Sequence, residues 1–147
     1  VNGVTITTAS TGDANNSTSA DPQTPCLPKV SSPVLTTVSG QLRVGSSSVT
    51  PSASTAWSVT LNFSSPVNNV VFSITAVDLD ENFIFNSNGG PVSLSHNSCY
   101  MNVTGNHAVT NGVTGGSVTD VTGGFFQANS PFPYTQLTIN GNDDKIF

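Results

Sequence analysis

In the stretch WSVTLNF, Trp57, Val59, Leu61 and Phe63 alternate with Ser58, Thr60 and Asn62. A period of two puts every apolar side chain on one face of an extended segment and every polar one on the other, which is a strand with one face buried. A helix would scatter the same residues around its circumference. The stretch VVFSITAV at 70–77 follows the polar SSPVNN and sets Phe72, Ile74 and Ala76 on one face against Val71, Ser73, Thr75 and Val77 on the other. Two such stretches joined by a short segment with Pro66 and paired Asn68 and Asn69 predict a β-hairpin at the centre of the fold.

Shorter signals of the same kind occur at Val4 and Ile6, Val34 to Val44, Phe83 to Phe85, Val92 and Leu94, Cys99 to Val103, Val118 and Val121, and Leu137 and Ile139. No segment carries a helical i, i+3, i+4, i+7 stripe. Composition agrees: of 147 residues 21 are Ser, 19 Thr and 16 Asn, against 3 Lys or Arg and 8 Asp or Glu, so good helix formers are scarce. Gly- and Asn-rich punctuation such as SNGGP and VTGGF separates the strand signals. The predicted class is all-β, an antiparallel β-sandwich of the jelly-roll or immunoglobulin-like kind with about eight to ten short strands. The length suits one domain, residues 1–147. Residues 9–33 are almost without apolar side chains and form an expected long loop or arm, beyond the roughly 12–15 residues of ordinary connections. The predicted core comprises Val4, Ile6, Trp57, Val59, Leu61, Phe63, Phe72, Ile74, Ala76, Met101, Val103, Leu137 and Ile139. The strand-like ends VNGVTITT and NDDKIF suit a module of a longer surface protein.

A net charge of −5 with cations only at Lys29, Arg43 and Lys145 leaves no positive surface for phosphate neutralisation, so nucleic acid is a poor partner. No apolar run approaches the roughly 18 residues of a membrane span, and membrane insertion is not expected. Cys26 and Cys99 lack the spacing of a zinc site; they are read either as a disulfide or as two buried thiols. Low charge and Ser/Thr/Asn richness favour an oxidising, extracellular setting at a cell or virion surface.

The acidic stretch AVDLDEN holds the strongest candidate for site chemistry. In extended geometry Asp78 and Asp80 share one face, and Glu81 and Asn82 follow as the chain turns, so one segment can converge oxygen ligands. Calcium takes six to eight oxygens from such groups, and Asp120 or the Asp143–Asp144 pair are the candidates to complete a shell; otherwise the stretch is a solvated acidic loop. Catalysis has little support. There is no GxSxG elbow, and His96 and His107 have no nearby acid to orient them. One Glu in the chain argues against a glycosidase pair. The reading is therefore non-enzymatic. Sugar rings stack on exposed aromatic faces. Trp57 faces inward by its alternation, whereas Tyr100 is out of phase with Cys99 and Met101 and is a candidate ligand contact. Tyr134, with Phe125, Phe126 and Phe132 in GGFFQANSPFPYTQ, is a second candidate, on a loop platform or plugging the end of the sandwich.

The run VNNVVFSITAVDLDEN resembles the strand-plus-acidic-turn motif of β-sandwich modules in secreted and surface-anchored bacterial proteins. There a strand of the type v-FxIxDxD ends in a calcium-binding or turn-capping Asp pair. The match runs from Val70 to Asn82 with the strand before it, and Ala76 stands where the motif commonly has Asp. The resemblance implies a jelly-roll or immunoglobulin-like sandwich used in adhesion or glycan binding, with Asp78 and Asp80 as the residues that correspond. The expected function is an extracellular recognition module for cell-surface adhesion or carbohydrate binding, with calcium as its candidate cofactor and a glycan or cell-surface protein as partner. The alternative is a structural assembly protein, a virion decoration or tail-fibre domain or a surface-filament subunit, whose partners are neighbouring subunits.

Overall fold

A computed structural model of the chain describes residues 3–11, 55–75, 81–98, 101–110 and 123–143. Among these residues the structure is all-β, with no helix. The strands are β1 (Ile6–Thr11), β2 (Thr55–Val67), β3 (Val70–Thr75), β4 (Asn82–Ser87), β5 (Ser93–Ser98), β6 (Met101–Thr104), β7 (His107–Thr110), β8 (Gly123–Asn129) and β9 (Tyr134–Asp143). They form two antiparallel sheets, a six-stranded one in the order β1-β2-β9-β4-β7-β6 and a three-stranded one in the order β3-β8-β5. The arm expected at 9–33 is corrected at its start, since Ala9, Ser10 and Thr11 belong to β1 and pair with β2; the rest of it, the strand signals at 34–44 and around 118–121, Ala76, and both cysteines lie outside the described residues.

The alternation of β2 is realised as the sequence dictates: Trp57, Val59 and Phe63 are buried, and Ser58, Thr60 and Asn62 are on the opposite face. The expected hairpin is not. β2 pairs with β1 and β9 in the six-stranded sheet, whereas β3 pairs with β8 in the other. The strand also runs on through SSPV to Val67, with its register to β9 shifting between Asn62 and Val67. Pro66, which has no N–H for the ladder, falls inside that irregularity. The chain then changes sheets within two residues. Asn69 adopts φ 57°, a left-handed conformation that Asn tolerates better than most residues.

One core joins the two sheets. Phe83 and Phe85 of β4, Leu137 of β9, Met101 of β6 and Ala108 of β7 are buried together with Phe126 and Ala128 of β8. Phe72 of β3 stacks on Phe85 at 5.2 Å and on Phe126 at 5.7 Å, so a column of rings crosses between the sheets. Ile6, expected in the core, is 55 % exposed; among the described strands β1 is the outermost of six, opposite a sheet of three. Of the two readings of the aromatic stretch, a loop platform or a plug at the end of the sandwich, the first does not hold for GGFFQAN: it is β8, the central strand of its sheet, paired on both sides, with Phe126 buried.

Tyr134 is likewise not the exposed contact foreseen. It is 1 % exposed, packs edge-on against Phe63 at 5.9 Å, and donates its hydroxyl to the Ala128 carbonyl at 3.1 Å. Burial pushes the phenol above its ordinary value of 10.0, opposed by a smaller lowering from the Val70 backbone. The unfolded phenol ionises first as pH rises, so this stabilisation is complete below about 10 and is lost as pH climbs through the folded value. Urea unfolding at about pH 9 and about pH 11 should show an alkaline loss of stability that is smaller in Tyr134→Phe. The same variant should be about 1 kcal/mol less stable at neutral pH, from the lost hydrogen bond.

Candidate functional site

The strands of this fold run between two ends. At one end β2 leads into β3, β4 into β5, β6 into β7 and β8 into β9, and all four turns are described. At the other end the strands open onto connections outside the described residues. The first end is knit by neutral side chains. Asn68 accepts from the Ser130 N–H at 3.0 Å and donates to the Ser130 carbonyl at 2.7 Å, tying the β2–β3 turn to the β8–β9 turn. Asn88 accepts from the N–H groups of Thr135 and Gln136 at 3.0 and 3.1 Å and donates to the Thr135 hydroxyl at 2.9 Å. Ser87 donates to the Gly90 carbonyl at 2.9 Å and lies 3.2 Å from the Ser130 hydroxyl. Asn106 donates to the Phe85 carbonyl at 2.8 Å, and the Leu94 N–H reaches the Gly105 carbonyl at 2.8 Å. Asn68 and Asn88 each use a donor and an acceptor, and Asn106 a donor, so backbone groups of the turns find partners where no ladder continues.

An open groove of about 430 Å³ lies at this end, lined by Asn86, Ser87, Gly90, Pro91, Val92 and Asn106. None of its described lining side chains is ionisable. Beside it, the β8–β9 turn presents Phe132 at 70 % exposure, with its N–H bonded to the Gly89 carbonyl at 3.2 Å. Gly89 is buried here because the turn leaves no room: a Cβ would lie 3.1 Å from the Pro133 carbonyl oxygen and from the Tyr134 Cβ.

The residues singled out in the acidic stretch divide. Asp78 and Asp80 lie outside the described residues. Glu81 is half-buried just before β4, and Asn82 opens that strand, opposite Val109 of β7 and Asn142 of β9. This register brings Glu81 to the sheet end where β9 finishes at Asp143, so acids far apart in the chain share one end. Among the described residues no three His, Cys, Asp or Glu side chains form a group able to hold a metal ion. Tyr100, Cys26 and Cys99 are outside the described residues. His107 lies on β7 opposite Ile84, with its ring Nε2 buried and without a hydrogen-bond partner among them. Phe132 was grouped with Tyr134 in sequence, and only the fold separates the exposed ring from the buried one.

Comparison of the chain with protein-family models, with curated proteins and with solved structures finds no match.

Proposed function

We propose that the chain is an extracellular, non-catalytic recognition module of the jelly-roll type that binds carbohydrate in cell-surface adhesion. The strand order supports the fold type. β2 pairs with β9, β3 with β8 and β4 with β7, while β5 meets β6, which is the pattern of one long two-layered ribbon wound into two sheets. An immunoglobulin-like sandwich does not nest its pairs in this way. The observation that carries the functional reading is the neutral, amide- and hydroxyl-bearing end with its open groove. Such side chains match a ligand of hydroxyls, and none of the described lining residues is ionisable.

Calcium belongs to the same proposal as a support of the opposite end. Its candidate donors are those of the acidic stretch leading into β4, Asp78, Asp80, Glu81 and Asn82. The test is a screen of the purified chain against neutral and acidic glycans, with calcium and with EGTA. Binding to neutral glycans, with a melting temperature raised by calcium, is the expected result. Silence on every glycan would overturn the reading.

A second reading, a subunit of a surface assembly, is favoured by β1. Its residues Ile6 to Thr11 are uncharged and almost all exposed, and among the described residues they form the edge of the six-stranded sheet, the kind of edge that templates pairing with another chain. Concentration-dependent association in sedimentation velocity without any glycan signal would move the assignment to it.

A further inference from the structure

The most exposed large apolar side chain among the described residues, Phe132 at 70 %, stands on one of the most constrained turns. Pro131 and Pro133 flank it and fix their own φ angles. Its N–H is held by the Gly89 carbonyl, Ser130 before it is gripped in both directions by Asn68, and Tyr134 after it is buried with its hydroxyl bonded. A loop so fastened holds its ring in water without the ordering cost that a mobile loop would incur on binding.

The turn also abuts the groove. A Cβ at Gly90 in the groove wall would lie 3.4 Å from the Pro131 Cδ and 3.7 Å from the Ser130 hydroxyl, so wall and turn are in contact. A pyranose has apolar C–H faces and a rim of hydroxyls, and it needs an aromatic face next to small hydrogen-bonding groups. Phe132, on the turn against the groove wall, offers the first, and Asn86, which is exposed at the groove, offers the second. None of the described lining residues is ionisable, which favours neutral sugars over uronic or sulfated ones. The open form suits a chain passing through better than a small ligand enclosed.

We infer that Phe132 and the adjoining groove form the subsite for a neutral oligo- or polysaccharide, with the Phe132 ring as stacking platform and Asn86 as a hydroxyl contact. This rests on the recognition-module reading above and adds the place and the ligand class. The test uses the full chain and its Phe132→Ala, Asn86→Ala and Ile84→Ala variants. Depletion and affinity electrophoresis are run on cellulose, xylan, mannan, chitin and starch, with alginate and pectate as acidic contrasts. Wild-type protein should bind at least one neutral polymer, and Phe132→Ala should weaken that binding about tenfold while melting as wild type. Asn86→Ala should weaken it less, and Ile84→Ala on the outer face of β4 should leave it unchanged. Binding that survives Phe132→Ala intact, or that prefers the acidic polymers, would overturn the subsite and leave the recognition reading standing. Failure of the wild type on every polymer would overturn both.

Discussion

Phe85→Ala is expected to lower the unfolding free energy by about 3–5 kcal/mol, the usual cost of truncating a buried aromatic side chain. Phe85 is fully buried on the inner face of β4. Its ring lies 29° from that of Phe72, which in turn stacks on Phe126, so Phe85 is the six-stranded sheet's member of the ring column that crosses the core. Removing it takes away the apolar burial and leaves a void between two sheets whose backbones cannot close on it, since each is held by its own ladder. Against a typical stability of about 5–15 kcal/mol the loss is a large share. Ile84→Ala is the matched control, one residue away on the opposite face and 38 % exposed, and should cost less than about 1 kcal/mol. Equilibrium urea unfolding of both variants decides it. Equal, small losses would mean that the two sheets do not share the core described.

The same residues show how far the sequence could be read. Alternation identified β2 and β3 and the buried face of β2, because burial on one side of a pleated strand leaves a period of two whatever the strand pairs with. It is silent about the partner. β2 and β3 are neighbours in the chain and strangers in the sheets, and what separates them is a register irregularity around Pro66 and the left-handed Asn69. Those look in sequence like an ordinary turn. β8 was hidden for another reason. GGFFQAN carries two glycines and two adjacent phenylalanines, poor strand signals on local grounds, and it becomes a strand because β3 and β5 pair with it from both sides.

The neutral end was illegible for a related cause. Asn68 and Asn88 read as turn residues, and they are, yet each also clamps a turn 47 to 62 positions away. Local sequence carries no trace of such a bond. For the acidic stretch, the β4–β9 register puts Asn82 opposite Asn142, beside the end of β9, and local sequence carries no sign of that pairing either. The aromatic candidates show the limit most directly. Phe132 and Tyr134 are two positions apart in one Gly- and Pro-rich run, and β9 begins between them, turning one ring into water and the other into the core.

Gly141→Ala is expected to destabilise the protein toward the upper end of the roughly 1–3 kcal/mol typical of overpacking. Gly141 lies on β9 opposite Trp57 of β2 on one side and Phe83 of β4 on the other. The indole occupies the space that its side chain would take: an added Cβ would overlap the Cε2, Cζ2 and Cη2 atoms of Trp57. A flexible side-chain end could yield, but this is the rigid six-membered ring of a residue only 4 % exposed. The indole also rests against Phe83 at 5.8 Å, and Phe83 is itself 4 % exposed, so displacing one ring pushes on the other. The requirement is therefore for space. It predicts coupling: in a Trp57→Phe background, where the larger ring system is gone, the cost of Gly141→Ala should fall below about 1 kcal/mol, a double-mutant interaction typical of residues in contact. Chemical unfolding of the four proteins in that cycle measures it. Additive costs would mean that the indole does not fill the place of the missing side chain.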